Sequence, residues 1–149
     1  MFTGIIYTTT TLTACTQKAG ITSLFFTLPP KDLEGLVLGA SIAINGVCLT
    51  VASQTSTHIS CDAIQETMKK TNLGTVSVGD VVHVERSAKM SDEIGGHILS
   101  GHVYGTAECI EVKENEKEGK VIRFSVPVAW MKYIFEKGFI AVDGCSLTV

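Results

Sequence analysis

A chain of 149 residues with a net charge of −3, 45% apolar and 18% charged residues describes a globular protein with many buried faces. It offers no basic field for nucleic acid or anionic lipid. No stretch approaches 18 uninterrupted apolar residues and Met1-Phe2-Thr3-Gly4 has neither a basic nor an apolar leader region, so neither a membrane span nor an export signal is expected. Five cysteines (Cys15, Cys48, Cys61, Cys109 and Cys145) form no CxxC pair, and the four histidines lack ligand spacing. Reduced thiols, a cytoplasmic location and no bound metal are the expectation.

In chain order, short β-branched runs at 5–15, 22–28, 40–44, 48–52, 58–62 and 81–85 read as strands, with Gly, Asn-Gly, Asp or Pro between them. Pro29-Pro30 closes the second run and Gly79-Asp80 makes a turn. Asn45-Gly46 between two apolar runs is the strongest hairpin signal. Short helical turns are expected at 31–36, 65–71 and 128–135, the middle one stopping at Asn72 or Gly74. Six short strands in such a length fit a small closed barrel, because closure removes exposed strand edges. His83, Glu85, Arg86 and Lys89, and the mixed loop from Lys113 to Lys120, read as solvated charged faces.

The chain then repeats itself. Residues 42–51 (IAINGVCLTV) and 140–149 (IAVDGCSLTV) share six of ten positions at an offset of 98, and Gly4 and Gly101 lie in a second echo at an offset of 97. So long a period indicates two copies of one domain, 1–97 and 98–149. A full second copy would run roughly 45 residues beyond Val149, so the expectation is a piece of a longer protein. The copies share no cysteine framework, since Cys48 aligns with Ser146 and Cys145 with Val47.

Three segments could carry chemistry, each with a plain structural alternative. Gly95-Gly96-His97-Ile98-Leu99-Ser100-Gly101-His102 lets backbone approach a planar ligand with imidazoles at hand; it is equally a domain-crossover turn. Cys48 and Thr50 share a strand face, as do Ser146 and Thr148; the alternative is a buried cysteine beside a half-exposed threonine. The Cys61–Thr67 stretch runs from strand into helix and leaves N–H groups free for a ring or ribityl chain, or simply places Asp62 as an N-cap with Glu66 exposed. No P-loop, GxGxxG, GxSxG or paired-carboxylate pattern occurs.

Taken together, MFTGII, GASIAINGVCLTV, ETMKKTNLG, VERSAKMSDEIGGHILSGHV and MKYIFEKGFIAVDGCSLTV resemble the riboflavin synthase family over essentially the whole chain. The resemblance implies an all-β fold of tandem six-stranded Greek-key barrels, the second incomplete here, and a homotrimer in the full-length form. It implies a transferase that needs no cofactor: two molecules of 6,7-dimethyl-8-ribityllumazine dismutate by four-carbon transfer to riboflavin and 5-amino-6-ribitylaminopyrimidinedione. One lumazine would be held by Gly4, Ile5 and Ile6, by Cys48, Leu49 and Thr50, and by Asp62, Ala63, Ile64, Gln65, Glu66 and Thr67. The other would be held by Gly101, His102, Val103, Lys137, Ser146, Leu147 and Thr148. Cys48, His102, Ser41 and Thr67 are expected near the reacting carbons, and Phe2 as part of a lid. The second copy's counterpart of the 62–67 segment would fall near 160–165, outside these residues, so ligand binding with poor turnover is expected. The alternative is a non-catalytic lumazine- or flavin-binding protein of the same superfamily, in which the paired polar groups of the site are lost.

Overall fold

The computed structural model describes residues 1–115 and 119–149. Six strands, β1 (Thr8–Lys18), β2 (Ile21–Thr27), β3 (Ser41–Ile44), β4 (Val47–Gln54), β5 (His58–Ile64) and β6 (Val81–Arg86), close into a barrel in the order β1-β2-β5-β4-β3-β6. Every pairing is antiparallel. The β2–β5 and β3–β6 neighbours are reached by connections that cross the barrel ends, which is a Greek-key path.

Alternation decides which side chains go inside. Leu24 and Phe26 on β2, Ile42 and Ile44 on β3, and Leu49 and Val51 on β4 are at most 4% exposed, and each is worth about 1.5–3 kcal/mol on burial. The intervening positions face outward. One barrel end is plugged by Leu28, Leu33 and Leu36 around a short helix, α1 (Pro30–Leu33), and Leu73 is buried in the same core. α1 is shorter than expected because Gly35 takes φ 67. A second short helix, α2 (Gln65–Lys70), follows β5 directly.

The second copy carries β7 (Glu108–Asn115), β8 (Gly119–Ser125), β9 (Phe139–Val142) and β10 (Cys145–Thr148). The bounds of β8 and β9 reproduce those of β2 and β3 after a shift of 98. The four strands form two separate hairpins, β7-β8 and β9-β10. A 3-10 turn, Val128–Tyr133, stands where 128–135 was expected to be helical. It follows Pro127, as α1 follows Pro29.

The solvated loop expected from Lys113 to Lys120 is corrected. Its first residues end β7 and Gly119 and Lys120 open β8, while 116–118 lie outside the described residues. Lys113–Glu111 and Lys120–Glu114 ion pairs, at 2.8 and 2.7 Å, line this hairpin in solvent.

Candidate functional site

The two copies exchange chain. The Cys48 N–H donates to the Gly101 carbonyl at 2.9 Å, and the Ser146 N–H donates to the Gly4 carbonyl at 2.8 Å. The expected grouping is therefore corrected: Gly101, His102 and Val103 stand with Cys48, while Gly4 stands with Ser146. Sterics fix the choice of glycine at both crossings. A Cβ on Gly101 (φ 77) would lie 2.7 Å from Cys48 Cβ, and one on Gly4 (φ 76) 2.7 Å from Ser146 Cβ. Phe2 and Leu99 exchange backbone hydrogen bonds at 2.9 Å in each direction. Phe2 is 2% exposed. It is a wedge between the copies.

The first half-site is a cleft of about 200 Å³. Cys48 and Ile64, Glu66 and Thr67 of α2, and Gly101, His102 and Val103 line it. Lys70 and Thr71 also line it. The sequence reading missed both, although the spacing from Glu66 to Lys70 was the available signal. Ser41, Thr50 and Asp62 lie just beyond, on the same outward barrel face. Register places Ser41 opposite Thr50, Thr50 opposite Asp62, and Asp62 opposite Ser23, a polar row across four strands. The Ser23 Oγ donates to Asp62 Oδ1 at 2.6 Å. Asp62 is thus a strand residue and not an N-cap; Ile64 occupies that place, and no side chain caps α2. Leu49 and Ala63 point into the barrel core, at 4% and 2% exposure, so only their backbone faces the site. Gln65 is exposed at the start of α2, outside the cleft lining.

Charge at this cleft is local. Lys70 Nζ sits 2.8 Å from a Glu66 carboxylate oxygen. This hydrogen bond, then the opposite charge, holds the Glu66 carboxyl below its ordinary range and the Lys70 ammonium above its own. The neighbouring Cys61 thiol is pushed up to about 12, first by burial and then by the Asp62 charge, which excludes it as a nucleophile. Among the described residues no three His, Cys, Asp or Glu side chains gather as a metal site.

The second half-site collects Ser146, His97 and the 4–6 segment. His97 Nδ1 is 2.6 Å from Ser146 Oγ, and its ring lies 4.4 Å from that of Phe139. His97 was read as one of two imidazoles at hand in a glycine-rich segment, with a crossover turn as the alternative; its partner Ser146 was not foreseen. Ser146 and Thr148 share one face of β10, with Leu147 on the other. Lys137 takes φ 62 at the place of Gly39 in the first copy. Its N–H reaches the Val149 carbonyl at 3.0 Å, as Gly39 reaches Val51 at 2.9 Å.

Two residues read as solvated charge build the junction between copies. Glu85, 7% exposed, accepts hydrogen bonds from Thr3 and Gly4. His83 Nδ1 lies 3.0 Å from the Asp143 carbonyl and 3.2 Å from its carboxylate. Arg86 donates to the Glu34 carbonyl at 2.7 Å, and Lys89 is exposed as expected. A larger cavity of about 490 Å³ is lined by residues of both copies. Its walls include Phe124, Ile134 and Ile140. By the repeat these match the core residues Phe26, Leu36 and Ile42.

Against known proteins, the model of the lumazine binding domain family matches residues 3–87 and 100–149. The riboflavin synthase of Escherichia coli (strain K12) is 46% identical over 149 residues, all of this chain and 70% of that protein. This chain belongs to the riboflavin synthase family. Family members from Chlamydia pneumoniae and Bacillus subtilis (strain 168) are 42% and 39% identical, again over the whole chain and over 72% and 68% of their own lengths. Among solved structures, LumP complexed with riboflavin superposes with a TM-score of 0.87 at 22% identity, covering 99% of this chain and 79% of LumP. Its complex with 6,7-dimethyl-8-(1'-D-ribityl) lumazine gives 0.85. At that identity the likeness shows the shared barrel fold.

Proposed function

We propose that this protein performs the riboflavin synthase reaction, in which one 6,7-dimethyl-8-ribityllumazine donates a four-carbon unit to another. The observation that carries the reading is the whole-chain match to riboflavin synthases at 36–46% identity. The geometry agrees with it: a reaction that consumes two copies of one substrate is served by two half-sites built from the same repeated elements. In each, a glycine-opened segment from one copy meets a strand carrying small polar groups from the other.

The acidic C7 methyl of one lumazine supplies the carbanion, and the other accepts a nucleophile at C7. The protein's part is to hold both rings in register and to move protons. His102 at the cleft mouth is the proton carrier in this reading. Cys48 and Thr67 contact the ring, and Ser41 with Thr50 and Asp62 receives the ribityl hydroxyls. Ile5, Ile6, Lys137, Ser146 and Thr148 hold the second lumazine. A homotrimer in the full-length form, a boundary between copies at 97/98 and a cytoplasmic location complete the proposal. No helix is long and apolar enough to cross a membrane among the described residues.

The test is to incubate the protein with 6,7-dimethyl-8-ribityllumazine and quantify products. Two lumazines consumed per riboflavin formed is the expected result, with His102→Gln slower by roughly 100-fold or more, the usual share of one proton-transfer group. Saturable binding with the lumazine recovered unchanged supports the alternative instead, a binder without chemistry.

A further inference from the structure

The first barrel buries a carboxylate that no reaction step uses. Glu85 faces outward on β6, yet the N-terminal segment covers it to 7% exposure. No cation pairs with it among the described residues. A buried carboxylate without a counter-charge must be satisfied by hydrogen-bond donors, or it costs several kcal/mol. Its donors all come from two residues. Oε1 accepts from the Thr3 N–H at 2.6 Å and the Thr3 hydroxyl at 2.8 Å, and Oε2 accepts from the Gly4 N–H at 3.1 Å.

Those same two residues turn their carbonyls to His97 and Ser146. The Thr3 carbonyl accepts from His97 N–H at 3.0 Å, and the Gly4 carbonyl accepts from Ser146 N–H at 2.8 Å. The chain at 3–4 is therefore a strut with the Glu85 carboxylate at one side and the Ser146–His97 pair at the other. We infer that Glu85 is the positioning residue of the second half-site. It fixes the N-terminal segment so that the Thr3 and Gly4 carbonyls stand against His97 and Ser146. The inference assigns a role within the proposed reaction, but its geometric content stands apart from that reaction.

Both carboxylate oxygens accept from backbone N–H groups. Glutamine has the same shape but one acceptor oxygen, so either amide orientation sets an NH₂ against an N–H. If Glu85 only filled space or satisfied the barrel, E85Q would be silent. Amide hydrogen exchange on the intact chain separates the two cases. E85Q is expected to speed exchange at Thr3, Gly4, His97 and Ser146 by roughly tenfold or more, with the barrel amides of Leu24, Ile59 and Val82 unchanged. Glu85→Asp keeps two acceptors on a shorter arm and is expected to restore part of the protection. Unchanged exchange at those four amides in E85Q overturns the inference. Should E85Q fail to fold, Thr3→Ala removes only the hydroxyl donor. A rise of about two- to fivefold confined to the same amides upholds the role, and no rise overturns it. Titration with 6,7-dimethyl-8-ribityllumazine forms a separate arm. If the parent protein binds none, the proposed function fails while the exchange result still judges Glu85.

Discussion

Lys137 holds its backbone at φ 62, where the first copy uses Gly39 at φ 82. The left-handed conformation costs a residue with a Cβ about 1–2 kcal/mol, and glycine offsets part of that gain through about 0.5–1 kcal/mol of extra chain entropy. A lysine kept in such a place points to its ammonium as the reason. Lys137→Gly is expected to leave stability unchanged or raise it by up to about 1 kcal/mol, while weakening lumazine binding. Urea midpoints and a fluorescence titration check the two halves. Cys61 belongs to the same scale. Its thiol ionises near its ordinary value of 9.0 when unfolded and only near about 12 when folded. The stability tied to the protonated thiol is thus complete below about pH 9 and lost progressively as pH rises towards 12. Midpoints measured across that window should fall more steeply in the parent than in Cys61→Ala. Thiol reagents should reach exposed Cys15 and Cys109 at once and Cys61 only on unfolding.

At the scale of elements, the two hairpin turns Asn45-Gly46 and Asp143-Gly144 pack on each other. A Cβ on Gly46 would lie 2.6 Å from the Gly144 Cα and N, whereas one on Gly20 would meet nothing within 4 Å. Both glycines have positive φ, at 76 and 81. Gly20→Ala therefore carries only the backbone penalty, about 1–2 kcal/mol, and Gly46→Ala adds overpacking of about 1–3 kcal/mol. Equal losses in thermal or urea unfolding would contradict the turn-on-turn contact. These turns and their strands were legible because alternation and Asn-Gly chemistry are local. The exchange of 1–4 and 99–103 between copies was not, since its hydrogen bonds join residues far apart in sequence, and nothing in Gly4 or Gly101 says which copy each will meet. Glu85 escaped for a related reason. Within His-Val-Glu-Arg it has the pattern of a solvated strand face, and only the N-terminal segment folding back over β6 buries it. The sequence reading gave Cys48 and Thr67 to one lumazine and His102 to the other, whereas one cleft is lined by all three.

Across the whole molecule, the copies share elements but not closure. Phe26 is 1% exposed inside the barrel, while its counterpart Phe124 borders the open 490 Å³ cavity. Phe26→Ala is expected to cost about 3–5 kcal/mol and Phe124→Ala clearly less, as paired urea titrations would show. Stability therefore resides in the first barrel, and the second copy contributes to the two half-sites through 101–103 and 146–148. In the proposed function, lumazine lies in the small cleft lined by Cys48, Thr67 and His102. Amide shift mapping during a titration with 6,7-dimethyl-8-ribityllumazine tests it most directly. The account predicts saturable shifts at Cys48, Thr50, Thr67, Gly101 and His102. Shifts confined to Phe124, Trp130 and Ile134 around the larger cavity, or none at all, would contradict it.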